Sequence, residues 1–249
     1  MSIIRSLWWS VRTDGTAPFD TAHLKVYYPA EVRGDDAERL TGVFGADPAN
    51  APYPVVLFLS GVNVGQDAYR RFATAIAENG FVVVTFDRVA ELFGGQFGLT
   101  PGVDLAAARP DTYGTAAPGT VLPAQVTCPV LLGVGTNDGV IMGSADRYGE
   151  DGLERPDPVA RTFEEALPEG ENLLAIIKGA NHFAIADADP TAARAFLDGP
   201  ADSDAMPAFS RLTALFLHTH VSGSARARAE LSAFGDVSVS DDGVVLHRR

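Results

Sequence analysis

Two continuous apolar runs, joined by one amphipathic segment, constrain the fold of this chain more than any other feature. Residues 54–60 and 81–86 are almost wholly apolar, as strands buried on both faces of a sheet are. Between them, residues 67–79 place apolar side chains at helical spacing, and Gly80 follows, where helices commonly end. The order strand, helix, strand predicts a right-handed βαβ unit. The apolar residues of the predicted helix are Tyr69, Phe72, Ala73 and Ile76.

The pattern continues in the second half of the chain. Residues 128–134 and 172–178 are further apolar runs, and Asp157 before Pro158 is typical of a helix start. Another helix is predicted over residues 207–221. Because strands alternate with helices, the predicted fold class is α/β, with a mostly parallel sheet flanked by helices.

The segments outside this alternation complete the expected organisation, which is a single domain of 249 residues. Residues 1–52 are expected to form N-terminal antiparallel strands and a loop. Residues 89–126 are rich in Gly, Pro, Ala and Thr, contain no convincing strand and are expected to be an irregular connection. Residues 222–249 form a C-terminal extension, in which alternation around Asp242-Gly243 predicts a hairpin.

Charge and composition exclude several classes of function. The net charge of −13 repels phosphate backbones and anionic lipid headgroups, so neither a nucleic-acid nor a membrane partner is expected. No apolar run reaches the roughly 18 residues of a membrane-spanning helix, and no signal peptide is recognisable. The single cysteine, Cys128, cannot form an internal disulfide, so a cytoplasmic location is expected. The oligomeric state stays open.

Polar residues that suit catalysis stand where the predicted strands end. Ser60 ends one apolar run, and Asp138 and His182 each follow another. Side chains at the carboxyl ends of strands meet at one edge of an open α/β sheet. An acid that orients a histidine forms an acid–base pair for activating a nucleophile. The backbone N–H of Val62, in the turn after Ser60, suits an oxyanion site.

These segments resemble the α/β-hydrolase superfamily, and most closely its dienelactone-hydrolase and chlorophyllase-like branch. The resemblance covers about residues 53–87 and 127–221. It implies hydrolysis of a carboxylic ester, with Asp138 as the triad acid, His182 as the base and Val62 in the oxyanion loop; no cofactor or metal is implied. A small ester is expected, because the short segment between residues 89 and 126 leaves no room for a large lid. The motifs that carry the resemblance are Pro-Val-Val-Leu-Phe-Leu-Ser-Gly-Val-Asn-Val-Gly (54–65), Cys-Pro-Val-Leu-Leu-Gly-Val-Gly-Thr-Asn-Asp (128–138) and Lys-Gly-Ala-Asn-His (178–182).

The nucleophile of that family is missing from this chain. Hydrolases hold their serine in a Gly-x-Ser-x-Gly elbow between a strand and a helix, and no such motif occurs here. The 41 residues between Asp87 and Pro129, where it belongs, include no serine, and one βαβ unit alone needs about 30 residues or more. We therefore expect a sheet reduced in its centre, in which the strand ending at Ser60 pairs directly with the strand ending at Val134.

Three residues are candidate replacements for the elbow serine, and each also has a structural interpretation. Ser60 precedes a turn and a helix, as an elbow serine does, although a strand-end serine commonly bonds the turn backbone. Ser144 follows Asp138 in a predicted loop, and Cys128 stands at the start of its strand, away from the site. Asp138 and His182 could themselves be a turn residue and a satisfied loop histidine.

Three functions therefore stay open. The first is a carboxylic-ester hydrolase that uses the acid–histidine pair, and the second is a catalytically inactive relative that binds a ligand. The third is a nucleotide-binding oxidoreductase, because a strand, the Gly61 turn, a helix and a strand ending at Asp87 imitate half of a dinucleotide site, without its full glycine pattern. His218 and His220 are two residues apart and face different sides of a helix, which disfavours a metal site.

Overall fold

The chain divides into two compact units, Met1–Ala108 and Arg109–Arg249, and its organisation as a single domain stays a prediction. No helix among the residues that the structure describes is long and apolar enough to cross a membrane. The computed structural model describes residues 2–15, 17, 19–61, 64–91, 97–100, 119–149, 155–187, 195–234 and 243–249.

A four-stranded sheet forms the centre of the first unit, in the order β1-β2-β4-β3. β1 and β2 pair antiparallel over their whole length, which confirms the predicted N-terminal antiparallel strands. β3 and β4 pair in parallel, as the βαβ pattern requires, whereas β2 and β4 run antiparallel. The strands are β1 (Ser2–Arg12), β2 (Thr21–Glu31), β3 (Val55–Leu59) and β4 (Val82–Phe86).

The predicted helix between β3 and β4 is present. It begins with a 3₁₀ turn, Gln66–Tyr69, and continues as α2 (Arg70–Glu78), and the apolar residues of its predicted stripe are all buried. Gly80 follows with φ at +86°, in the left-handed region that glycine adopts without strain. The unit also contains the short helix α1 (Asp36–Thr41) and a 3₁₀ turn at Pro48–Asn50.

One face of β3 departs from the prediction of a strand buried on both faces. Val55, Leu57 and Leu59 are 66%, 61% and 41% exposed. Phe58 points to the opposite face, where its ring centroid lies 4.6 Å from that of Tyr69 in the helical segment. Side chains alternate between the faces of a strand, and among the described residues of this unit α2 covers the Phe58 face alone.

A second strand pair of the first unit corrects the expectation that residues 89–126 contain no strand. β5 (Arg88–Glu91) and β6 (Phe97–Thr100) pair antiparallel. In sequence, the connection between them contains Gly94-Gly95, and a short connection that contains glycine is a hairpin signal. Residues 101–118 of this connection lie outside the described residues.

The second unit is built on a three-stranded sheet in the order β7-β8-β9. β7 (Leu131–Gly135) and β8 (Leu173–Ile177) pair in parallel, and β9 (Val244–Arg248) pairs antiparallel with β8. Asp157 caps the predicted helix through its carboxylate. The helical segments are α3 (Gly139–Met142), α4 (Pro158–Arg161) with the π-helical turn Thr162–Ala166, α5 (Ala205–His220), α6 (Ala225–Ala233) and 3₁₀ turns at Ala145–Arg147 and Ala195–Leu197.

β8 lies at the centre of this sheet and is packed on both faces. Leu173, Ala175 and Ile177 belong to a buried cluster with side chains of α5 and α6. Leu174 and Ile176 pack on the other side with side chains of α4 and its π-helical turn. The continuous apolar run therefore has the physical cause that the sequence indicated, burial on two faces.

Two expectations about the sheet are not met. Parallel pairing is confined, in the described strands, to β3 with β4 and β7 with β8, so a mostly parallel sheet is not confirmed. The predicted direct pairing of the strands ending at Ser60 and Val134 is wrong, because β3 and β7 belong to different sheets. Each pairs instead with the next strand of its own βαβ unit, as sequential strands commonly do. Residues 237–239, the first arm of the predicted C-terminal hairpin, lie outside the described residues.

Replacement of Ile76 by alanine tests the packing of α2. Ile76 is 2% exposed, so Ile76→Ala leaves a cavity and should lower the free energy of unfolding by about 2–5 kcal/mol. The matched control is Leu40→Ala in α1, where the side chain is 85% exposed and a change under about 0.5 kcal/mol is expected. Urea denaturation followed by circular dichroism measures both, and equal losses would contradict the packing.

The acid stability of the second unit should depend on His220. Burial at the end of α5 lowers the pKa of His220, and Glu171, whose carboxylate is 3.5 Å from Nδ1, offsets part of that shift. The unfolded chain therefore binds this proton more readily than the folded chain. The stabilisation is full above the unfolded pKa of about 6.5 and is lost as pH falls below it towards the folded value.

The variant His220→Gln should lack this part of the acid sensitivity. Urea midpoints at about pH 7.5 and about pH 5 measure it, and the wild-type midpoint is expected to fall more between the two than that of the variant. If the urea midpoint falls equally in wild type and in His220→Gln between the two pH values, His220 titrates alike in the folded and the unfolded chain, and the prediction is wrong.

Candidate active site

Asp138 is positioned by the start of a helix. A two-residue turn separates it from the end of β7, and it then caps α3, where its Oδ1 accepts a hydrogen bond from the backbone N–H of Ile141 at 2.9 Å. Aspartate is favoured at this position because its side chain satisfies an N–H that the helix leaves unpaired. The residue is buried, with 7% of its surface exposed, and its Oδ2 is directed to another partner.

His182 comes from the loop that follows β8, which ends at Ile177. The loops that follow β7 and β8 are joined by a hydrogen bond from the backbone N–H of Asn137 to the carbonyl of Ala180, at 2.8 Å. The two loops therefore stay adjacent beyond the ends of the strands. Across this junction, His182 Nδ1 lies 3.2 Å from Asp138 Oδ2.

A carboxylate beside Nδ1 determines how the imidazole can act. When the ring is neutral, Nδ1 donates its proton to Asp138, and Nε2 carries the basic lone pair. The ring also packs edge-on against Phe183, with centroids 5.4 Å apart, and the His182 side chain is 37% exposed. The structure thus brings together the acid and the histidine that the sequence singles out, while their catalytic roles stay predictions.

Asp198 is a second carboxylate of the site, which sequence reasoning missed. Its Oδ2 accepts from the backbone N–H of His182 at 3.0 Å, and its Oδ1 from that of Val140 at 3.2 Å. Such charge-assisted hydrogen bonds are roughly twice as strong as neutral ones. Asp198-Gly199-Pro200 has in sequence the composition of a turn and nothing more, so no sequence signal marks this residue.

The segment that carries Asp198, residues 197–200, crosses the two loops, and we call it the crossing segment. Nδ2 of Asn137 donates to the carbonyl of Pro200 at 2.9 Å, and Nδ2 of Asn181 donates to the carbonyl of Gly199 at 3.0 Å. Each asparagine directly precedes one member of the pair. These side chains therefore build the frame of the site rather than its chemistry.

The candidates around Ser60 belong to the first unit. Ser60 is 5% exposed, and its Oγ donates to the carbonyl of Phe86 at 3.3 Å, which agrees with a structural role for a strand-end serine. The N–H of Gly61 donates to the Tyr69 hydroxyl at 3.2 Å. Val62 lies outside the described residues, so its N–H as an oxyanion donor stays a prediction.

The remaining sequence candidates have structural roles or lie away from the pair. Ser144 Oγ donates to the carbonyl of Ile141 at 2.6 Å, and Cys128 is exposed ahead of β7. Asp87 accepts from Gln66 through both oxygens, from the backbone N–H at 2.6 Å and from Nε2 at 3.4 Å. This carboxylate therefore caps a turn, and such engagement disfavours a role as a ribose ligand.

The described residues contain no group of three side chains that could hold a metal ion. His218 Nδ1 lies 3.3 Å from Ser222 Oγ, and His220 faces Glu171. The two histidines thus have different partners, as their spacing on a helix predicts.

The second unit has two cavities near the end of β7, and of these two the smaller is lined by one member of the pair, Asp138. One, of about 330 Å³, opens next to Asp138 and Gly139. The other, of about 720 Å³, extends over the α4 side of the sheet, where its walls include Phe163. Both are lined by Thr136 and Met142, so a ligand at the acid has apolar surface close by.

No protein-family model and no curated protein matches this sequence. Among solved structures, the chain is similar to a ferulic acid esterase from Streptomyces cinnamoneus, with a TM-score of 0.50 and 15% sequence identity, over 98% of this chain and 95% of that chain. At this identity the likeness concerns the fold alone. It is consistent with the α/β-hydrolase-like fold that the sequence resemblance implies.

Gly135, at the end of β7, leaves room for the loops to meet. A Cβ there would overlap the carbonyl of Ala180, the acceptor that joins the loops, so Gly135→Ala should lower the free energy of unfolding by about 1–3 kcal/mol. Gly170→Ala is the matched control, because a Cβ there comes no closer than 3.8 Å, to Asn172 Nδ2, and a change within about 0.5 kcal/mol is expected. Urea denaturation compares the two; an unchanged Gly135→Ala midpoint would contradict the close approach.

Proposed function

We propose that this protein hydrolyses small carboxylic esters and that the Asp138–His182 pair activates a water molecule for the reaction. The observation that carries the proposal is the 3.2 Å contact between His182 Nδ1 and Asp138 Oδ2, made by a carboxylate side chain that is 8% exposed. The esterase among the similar structures supports the reaction class. The resemblance to dienelactone hydrolases supports a small ester or lactone as substrate.

His182 is the general base in the proposed reaction. Asp138 keeps the proton on Nδ1, so Nε2 takes a proton from water as the water oxygen attacks the carbonyl carbon. The nearby carboxylate stabilises the imidazolium that forms. When the tetrahedral intermediate collapses, the carbon–oxygen bond to the alcohol breaks, and Nε2 returns the proton to the departing alkoxide.

We assign the attack to water because the sequence lacks the serine motif of the hydrolases and its candidate serines are engaged elsewhere. It has no Gly-x-Ser-x-Gly motif and no serine between positions 88 and 128. The hydroxyls of Ser60 and Ser144 donate to backbone carbonyls, so their O–H groups are directed at these carbonyls and not at a base. General-base assistance contributes about 10²–10⁴-fold, so the proposal is for a slow esterase.

The surroundings of the pair support a small, uncharged substrate. The cavity of about 330 Å³ beside Asp138 suits a short acyl group, and the net charge of −13 disfavours anionic ligands. The proposal accordingly includes no nucleic-acid or membrane partner and no cofactor. A cytoplasmic location is part of it.

A catalytically inactive relative that binds a ligand is the competing function. The observation that favours it is the engagement of both candidate serine hydroxyls with backbone carbonyls. The two functions differ in one measurable respect, which is whether ester hydrolysis depends on His182.

Hydrolysis of p-nitrophenyl acetate tests the proposal. His182→Gln should lower the buffer-corrected kcat/KM by at least about 100-fold, because it removes the base. Asp138→Asn should act in the same direction, because it favours the wrong tautomer. The matched control is His218→Gln, which removes a histidine of α5 and should leave the rate unchanged.

Two outcomes would decide against this reading. Equal rates in wild type, His182→Gln and His218→Gln would overturn the proposal in favour of the ligand-binding relative. Labelling by a fluorophosphonate probe that vanishes in Ser60→Ala would replace the water step by attack of a serine.

A further inference from the structure

We infer that Asp198 is a positioning residue, which sets the separation of Asp138 and His182. Its two oxygens accept hydrogen bonds from two different loops, from the His182 N–H at 3.0 Å and from the Val140 N–H at 3.2 Å. Val140 lies in the first turn of α3, the helix that Asp138 caps. One carboxylate therefore joins the backbone of α3, the helix that the acid caps, to the backbone of the histidine.

The contacts of Asp198 distinguish its role from that of Asp138. Asp138 faces the imidazole through Oδ2, whereas the hydrogen bonds of Asp198 come from backbone N–H groups. Asp198 holds the backbone of His182, whereas Asp138 contacts the imidazole ring. It acts through the pair and is a positioning residue, not a proton carrier.

The crossing segment that carries Asp198 is itself tied to the two loops. The asparagines that directly precede the pair donate their side-chain amides to its carbonyls, at 2.9 and 3.0 Å. Together with the two bonds to the Asp198 carboxylate, four hydrogen bonds thus end on the crossing segment. Hydrogen bonds within one network strengthen each other. The two to the carboxylate are charge-assisted, so loss of the Asp198 carboxylate should disturb the frame more than loss of either amide.

The tautomer of His182, read from proton–nitrogen NMR of the imidazole, tests this inference without an activity assay. In wild type the proton is expected on Nδ1, because Nδ1 faces Asp138. In Asp198→Ala both backbone anchors are lost, and the ring should shift towards the Nε2–H tautomer. Asp198→Asn keeps one acceptor oxygen, should give an intermediate shift, and replaces the alanine variant if that one fails to fold. The signal is assigned by its absence in His182→Gln.

Asp204→Asn is the matched control, because Asp204 is an exposed aspartate of the same unit whose carboxylate accepts from Ser203 Oγ. It should keep the wild-type tautomer. A folded Asp198 variant with the wild-type tautomer, or a wild type without the proton on Nδ1, would overturn the inference.

The kinetic consequence of the inference rests on the proposed function and is judged apart from it. Where wild type hydrolyses the ester, Asp198→Ala should lower kcat by up to about 100-fold with a smaller effect on KM, because misplacement of a catalytic group acts on the chemical step. A tautomer shift in a protein that hydrolyses no ester would support the role of Asp198 and refute the proposed function.

Discussion

The parallel pairing of β7 with β8 is the constraint on which the second unit depends. Its register sets Gly135 opposite Ile177, so the loops that follow β7 and β8 leave the sheet side by side. Asp138 and His182, 44 positions apart in the sequence, are thereby brought together, with 3.2 Å between Oδ2 and Nδ1. A slip of one residue would turn every side chain of β8 to the other face, and β8 resists this because both of its faces are packed with apolar side chains.

Burial of Asp138 gives this junction its chemical character. A carboxylate taken from water is costly unless hydrogen bonds replace the lost solvent. The N–H of Ile141 supplies one at 2.9 Å, and the imidazole of His182 faces the second oxygen. A neutral ring offers the carboxylate one hydrogen bond, whereas a protonated ring adds an ion pair. In the proposed reaction this contact stabilises the imidazolium that forms when the histidine acts as a general base.

Local patterns account for what could be predicted from the sequence. Strand, helix and strand alternation placed α2 and β4, and it placed Asp138 and His182 at neighbouring strand ends, because parallel strands finish at the same edge. The exposure of Val55 and Leu57 could not be predicted, since an apolar run does not say which elements will cover each face. Asp198 could not be predicted either, because its partners are backbone N–H groups 16 and 58 positions away, and backbone groups leave no mark in a sequence.

The pair and the candidate nucleophile are separable parts of this chain. The hydrogen bonds that hold Asp138 and His182 come from a helix cap, a junction between loops and the crossing segment, all within the second unit. Ser60 and Val62 belong to the first unit, and the elbow motif is missing from the sequence altogether. Because no anchor of the pair depends on an elbow, its geometry persists without one. Covalent catalysis needs the serine, whereas the proposed activation of water needs the acid–histidine pair and a cavity for the substrate, and the pair and the cavity next to Asp138 both belong to the second unit.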